Sequence, residues 1–317
     1  MMNRIQAILA ASLLLSVAAC GAGSPPNASP ATTALQGQTF VGIDWKAVDA
    51  ALGRTGAMQP GDNYRFNMPR SDLRVTSQGV QIRPSFALGS WLAFKQSGEN
   101  EAVAMGDLVL TEEELNRVLA RLQEGGVGQT AVHKHLLEMV PAIWWAHVHA
   151  QGNPVEIARA VREALALTGT PAEISGGAAA PAELALDTAQ ISRVLGYPGR
   201  NNGGVYNVSV PRVETIRSHG IEVPPSMGLT TVFNFQPTGN GHAAINGDFV
   251  MTAGEVDRVI ATLRQNDIEI VELHHHLTDE EPRLLFMHFW ANDDALKLAR
   301  GLRAALDQTN VQRPATR

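Results

Sequence analysis

His133 and His135 stand two residues apart in Val132-His133-Lys134-His135-Leu136, and His147 follows a dozen residues later. The set recurs 141 residues on, as Leu273-His274-His275-His276-Leu277 with His288. On an extended strand, residues i and i+2 project from one face, so each His-x-His pair presents two imidazoles side by side. The opposite face, with Val132 and Leu136 or Leu273 and Leu277, is the expected core side. A third imidazole from the next strand would complete a set suited to zinc or another divalent transition metal, with a fourth position open to water or substrate. Water on zinc titrates near neutral pH, so such a site would support hydrolysis.

Whether the third imidazole joins depends on hairpin register. With Pro141, or Pro282 in the second copy, at the centre of the turn, His147 lies opposite His135 and His288 opposite His276. A one-residue slip would send each third histidine to the other face. Glu138 and Asp279 stand just beyond the pairs and are the candidate catalytic bases or fourth ligands; solvated loop carboxylates are the plainer reading of both. For the histidines the competing reading is a polar layer of hydrogen-bonded imidazoles.

The elements that must position these groups come as an internal duplication. Residues 88–165 align with 229–306 without a gap, placing Gly106-Asp107 on Gly247-Asp248, Thr111 and Glu114 on Thr252 and Glu255, and Pro141 on Pro282. Each copy reads as strand, strand, helix, strand, strand, helix behind a less regular N-terminal part. Residues 88–95 and 101–110 predict a hairpin. Thr111 to Glu114 is a capping box, with Thr252 to Glu255 offered for the same job, and Gly125-Gly126 ends the first helix. Strands over 129–137 and 142–150 follow, then a helix opened by Asn153 and Pro154. The expected fold is α+β: two tandem copies of a mixed α/β domain, each a mostly antiparallel sheet with helices on one face.

The N-terminal end predicts a different environment. Met1 to Arg4 and an apolar, small-residue run from Ile5 to Ala19 form a secretory signal, too short to span a bilayer. Val17-Ala18-Ala19-Cys20-Gly21 resembles the bacterial lipobox, which implies cleavage before Cys20 and acylation of that residue, the single cysteine of the chain. The expected organisation is a signal over 1–19, a lipidated cysteine and flexible tether over 20–40, a first repeat over 41–168, a linker over 169–183, a second repeat over 184–310 and a tail over 311–317. The protein is thus expected outside the cytoplasm, held to a bacterial membrane by lipid. A net charge of −6 without a block of like charge argues against nucleic-acid binding.

Other matched residues suggest ligand contacts. Tyr64 with Arg70, and Tyr206 with Arg212, would place a phenol and a guanidinium at one site, suited to a small anionic or cell-wall ligand. An ion pair to Asp107 or Asp248 is the alternative for each arginine. Trp91, Trp144, Trp145 and Trp290 suit either a sugar-stacking platform or the core. His149 has no histidine counterpart, since Trp290 stands in its place in the second repeat, and reads as accessory; His219 and His242 read as isolated surface residues. No nucleophile elbow, phosphate loop, dinucleotide fingerprint or zinc-protease helix motif is present.

The paired His-x-His-Leu segments, with Pro282-Arg283 and Met287-His288-Phe289-Trp290, resemble the DUF1259 family, which includes the LppY/LpqO-type bacterial lipoproteins. The resemblance spans nearly the whole mature chain and implies the duplication and an envelope location, without an activity. Two functions stay open from the sequence. One is a cell-envelope lipoprotein binding a divalent transition metal, zinc favoured, that as a metal-dependent hydrolase would act on an anionic or glycan-linked substrate. The other is a non-enzymatic module that binds cell-wall polymer or an envelope protein.

Overall fold

A computed structural model describes residues 42–172 and 184–313. The expected signal, Cys20, the tether, most of the linker and the end of the tail lie outside the described residues. The first repeat runs α1 (Trp45–Leu52), β1 (Ala57–Gln59), β2 (Asn63–Pro69), β3 (Val75–Ser77), β4 (Val80–Ile82), α2 (Pro84–Ala87), β5 (Gly89–Gly98), β6 (Glu101–Thr111), α3 (Glu112–Glu124), β7 (Gly128–His133), β8 (Met139–Val140), β9 (Ile143–Gly152) and α4 (Pro154–Leu165). Strands β1-β2-β5-β6-β9-β7 form one antiparallel sheet in that order.

The second repeat copies this plan with α5 (Thr188–Leu195), β10 (Gly199–Asn202), β11 (Val205–Pro211), β12 (Arg217–Ser218), β13 (Ile221–Glu222), β14 (Thr230–Gly239), β15 (His242–Met251), α6 (Val256–Gln265), β16 (Glu269–His274), β17 (Leu285–Asp294) and α7 (Ala295–Leu306). Its sheet order is β10-β11-β14-β15-β17-β16. Among the described residues no helix is long and apolar enough to cross a membrane.

Alternation along β6 shows how the layers stack. Ala104, Leu108 and Leu110 pack with α1, α3 and α4 residues such as Val48, Leu122 and Val161. Met105 and Val109, on the other face, pack instead with second-repeat residues: Met105 with Met227 and Phe286, and Val109 with Val205 and Trp290. The two sheets therefore meet face to face, with helices outside, in a helix-sheet-sheet-helix stack. Every residue from Ala102 to Leu110 is buried, as expected for a strand covered on both faces.

Several sequence expectations shift locally. The strand predicted over 129–137 ends at His133, because the chain then leaves the large sheet and pairs Met139 and Val140 with β3, where Ser77 Oγ donates to the Leu137 carbonyl. Val132 and Leu273 do not face a core; they are 41% and 44% exposed. Their strands are sheet edges, and it is the histidine face that the other repeat closes. Leu136 and Leu277 are buried as expected. The capping box forms fully at α3, where Thr111 and Glu114 exchange bonds. In the second copy Glu255 still accepts from the Thr252 amide, but α6 begins only at Val256, consistent with the poor helix propensity of Gly254.

Arg70 and Arg212 also differ from expectation. Arg70 is 1% exposed, donating to Glu114, to Asp72 and to the Val109 carbonyl. Arg212 does the same with Glu255, Glu214 and the Val250 carbonyl. Neither guanidinium pairs with Asp107 or Asp248, and neither has a free fork for an anionic ligand. Tyr64 donates to Asp49 and the Gly56 carbonyl, and the Tyr206 hydroxyl bonds Ser192 and the Gly199 amide. Six residues of extended chain, about 20 Å, separate each tyrosine from its arginine. These residues hold the fold and do not share a site.

Glu114 additionally accepts from the Gly169 amide, joining β2, α3 and the segment after α4. Glu114→Ala leaves a buried guanidinium half-matched and is expected to cost about 3 kcal/mol in urea unfolding. Glu156→Ala, at an exposed pair with Arg159, is expected to cost under about 1 kcal/mol.

Candidate metal centre

Asp107 on β6 lies opposite His147 on β9, and Asp248 on β15 lies opposite His288 on β17. Directly opposed residues share a face, and this is the face that meets the other repeat. On the far side of β9, β7 carries a register irregularity after Gln129, so that His147 stands opposite Ala131 and His133 opposite Trp145. His147 thus stands opposite a residue four short of His135, the partner expected for it, and still on the same face as His133. Glu272 opposite His288 and His274 opposite Phe286 repeat this register. His135 and His276 follow just past the strand ends.

All six histidines come together between the sheets, but not as one set per repeat. His133 and His274 stack at the middle with ring centroids 4.1 Å apart. His135 is 3.9 Å from His288, and His147 is 3.9 Å from His276, each pair crossing between repeats. Ligand atoms converge within 4.8 Å in three groups: His133, His135 and His288; Asp248, His274 and His276; and His133, His147 and His274. The first takes its His-x-His pair from one repeat and its third imidazole from the other. The pseudo-symmetric counterpart would be His274, His276 and His147, of which His274 and His276 converge with Asp248 while His147 converges with His133 and His274.

Hydrogen bonding orients the rings. Nδ1 lies 3.3 Å from the Gly106 carbonyl in His147, 2.8 Å from that of Gly247 in His288, and 2.9 Å from that of Gly228 in His276. A carbonyl only accepts, so each Nδ1 carries the proton and each Nε2 is a bare acceptor. Outward donation of this kind is what a metal-bound imidazole needs from its surroundings. The glycines are required by close approach: a Cβ on Gly106 would fall 2.6 Å from the Trp91 carbonyl oxygen, and on Gly247 1.8 Å from that of Val232.

Nε2 atoms also approach other polar atoms, that of His276 as a bare acceptor and those of His133 and His135 with no carbonyl fixing the tautomer. His276 Nε2 is 3.2 Å from Asp248 Oδ2, His135 Nε2 is 3.3 Å from Asp107 Oδ2, and the Nε2 atoms of His133 and His135 are 3.0 Å apart. Ligands bound tetrahedrally at about 2.0–2.1 Å from zinc lie about 3.3–3.4 Å from one another, so these separations fit a shared ion. Nε2 of His147, His276 and His288, both nitrogens of His274, Nδ1 of His133 and one oxygen each of Asp107 and Asp248 are buried without a hydrogen-bond partner. Unpaired polar atoms in this number are costly in a dry interior, and a cation or ordered water would satisfy them.

Burial sets the charge states. It holds His133, His135, His147 and His274 well below the usual imidazole range, helped by repulsion among the rings. It lowers His276 and His288 to about 4. It pushes the Asp248 carboxyl up to about 6, with the charge of Asp107 adding to the rise. The imidazoles are neutral at pH 7, the form that binds metal.

The remaining candidates fall elsewhere. Glu138 is exposed with φ of 44° and joins none of the three groups. Asp279 lies 2.7 Å from His219 Nδ1 and accepts from Ser218. His219 is not isolated, for its ring lies 4.7 Å from that of His149 across the repeats, while His149 keeps Trp290 as its counterpart in the second repeat. Trp145 and Trp290 are fully buried, with Nε1 donating to Ala87 and Gln78. Asp107 and Asp248 were missed as site residues, although the recurring Gly-Asp dipeptide signalled them: its glycine orients the third histidine and its aspartate faces the centre.

A family model described as Domain of Unknown Function (DUF1259) matches residues 46–167 and again 189–308. No curated protein matches the chain. Among solved structures, a trimeric bacterial microcompartment shell protein, PduB, aligns at 11% identity over 81% of this chain and 95% of its own, with a TM-score of 0.22. EtuB from Clostridium kluyveri aligns at 10% identity over 79% and 90%, with a TM-score of 0.18. Likenesses this distant bear on neither fold nor function. Matched once in each repeat, the chain belongs to the DUF1259 family as a tandem duplication.

Proposed function

We propose that this protein binds divalent transition metal, zinc favoured, in one composite centre that both repeats must build, on a chain that lipid at Cys20 would hold outside the cytoplasm. The observation that carries the reading is the buried contact of the bare His276 Nε2 with a carboxylate oxygen at 3.2 Å, with His135 and Asp107 at 3.3 Å on the other side of the pseudo-twofold. At His276 two lone pairs at that distance repel unless a cation lies between them. Six imidazoles and two carboxylates favour zinc, copper, nickel or cobalt over magnesium or calcium.

Five of the six histidines are under a tenth exposed. Such burial supports holding the ion itself over hydrolysing an anionic or glycan-linked polymer, which would need open access to the metal. The ion would also pin the repeats together, because each half of the centre takes ligands from both.

Elemental analysis of untagged mature protein is expected to find at least one equivalent of transition metal, or uptake to that level on titration; less than a tenth of an equivalent with no uptake defeats the reading. Zinc at about a thousand times its Kd should add about 4 kcal/mol to a metal-free sample. For a chain of this size that raises Tm by roughly 6–7 °C.

A further inference from the structure

Three of the six imidazoles are one-sided: His147, His276 and His288 each donate Nδ1 to a backbone carbonyl and offer only Nε2. His133 and His274 are different. They form the middle of the stack, 4.1 Å apart and 17° from parallel, and both are buried. Neither nitrogen of His274 has a partner; Nδ1 of His133 has none, and its Nε2 meets only His135 Nε2. No oxygen fixes the tautomer of either ring, as one ordinarily does for a histidine that binds a single ion.

The same two residues are the shared ones. His133 belongs to the group with His135 and His288 and to the group with His147 and His274, while His274 belongs also to the group with Asp248 and His276. A ring that bound a separate ion in each of two groups would have to offer a different nitrogen to each.

We infer that His133 and His274 are two-sided ligands whose rings bridge neighbouring ions, making the centre a coupled cluster of two transition-metal ions and not a pair of independent sites. This rests on the metal-binding reading above. When the second ion binds a bridging ring, the N–H proton leaves to solvent, the freed lone pair forms the new metal bond, and the ring becomes an imidazolate. Its negative charge, with the carboxylates of Asp107 and Asp248, offsets the charge of two dications in a dry interior.

The test uses the full chain, freed of metal and titrated with Cu(II) near pH 7.5 while electron paramagnetic resonance counts unpaired spins. Two equivalents are expected to bind, with the integrated signal after the second falling below that after the first, because spins coupled through a ring cancel. A parallel Zn(II) titration in weak buffer should release at least one proton with the second equivalent. In His147→Ala, which removes a one-sided ligand, any doubly loaded protein should still show coupling. Saturation at one equivalent, or two equivalents with the full signal of independent ions, overturns the bridge and leaves metal binding standing. Absence of any uptake overturns both.

Discussion

Substituting alanine for His135 and His147, both in the first repeat, is expected to leave no tightly bound ion, whereas substituting His135 and His288, one from each repeat, leaves one. The reason is the exchange of third ligands. His135 shares a group with His288, and the ring nearest His147 outside its own repeat is His276 at 3.9 Å. The first double variant removes one ligand from each half of the centre. The second removes two from one half and spares His147, His274, His276 and Asp248. With roughly 10–16 kcal/mol spread over four zinc ligands, one imidazole contributes about 3 kcal/mol, about a hundredfold in Kd. Competition against a chromogenic chelator reads both number and affinity. If each repeat held its own three histidines, the outcomes would reverse, and His135→Ala with His147→Ala would keep one tight ion.

Much of this architecture was legible because the chain states it twice. The constant 141-residue offset identified the duplicated hairpins, the box at Thr111 and the helix opened by Asn153, and each forms where its local chemistry demands. The six histidines were legible for the same reason. Their grouping was not, because it depends on which sheet face meets which, and hydrophobic alternation is silent where a strand is buried on both sides. The run Ala102-Val103-Ala104-Met105 did carry a hint, since it offers no polar face for solvent. Hairpin register was not legible, because the chain leaves the large sheet after His133 to pair Met139 and Val140 with β3, so the hairpin is not centred on Pro141. The arginines misled for a different reason: a guanidinium suits a ligand carboxylate and an internal one equally, and Arg70 found Glu114 and Asp72 within its own repeat.

Metal-free protein is expected to lose stability as pH falls from about 6.5 to about 4. His276 and His288 titrate near 4 in the fold against about 6.5 in an unfolded chain. Between those values the unfolded state binds more protons, so stability rises with pH and is lost on acidification. At 1.36 kcal/mol per unit, each imidazole contributes about 3 kcal/mol over that window. Asp248 acts in the opposite sense: its folded value near 6 exceeds the unfolded 3.8, so acidification through the same range returns about 3 kcal/mol. The net loss from these three groups is about 3 kcal/mol, and the other four imidazoles, all held low, add to it. Urea midpoints at pH 7.5, 6.5, 5.5 and 4.5 measure the slope, which His276→Gln with His288→Gln should flatten. Bound zinc keeps its ligands unprotonated, so the loaded protein should resist acid until protons displace the ion, giving a steeper transition at lower pH. Equal stability at 7.5 and 4.5 without metal would mean that the rings are not held neutral in the interior, and would remove the electrostatic basis for a cation among them.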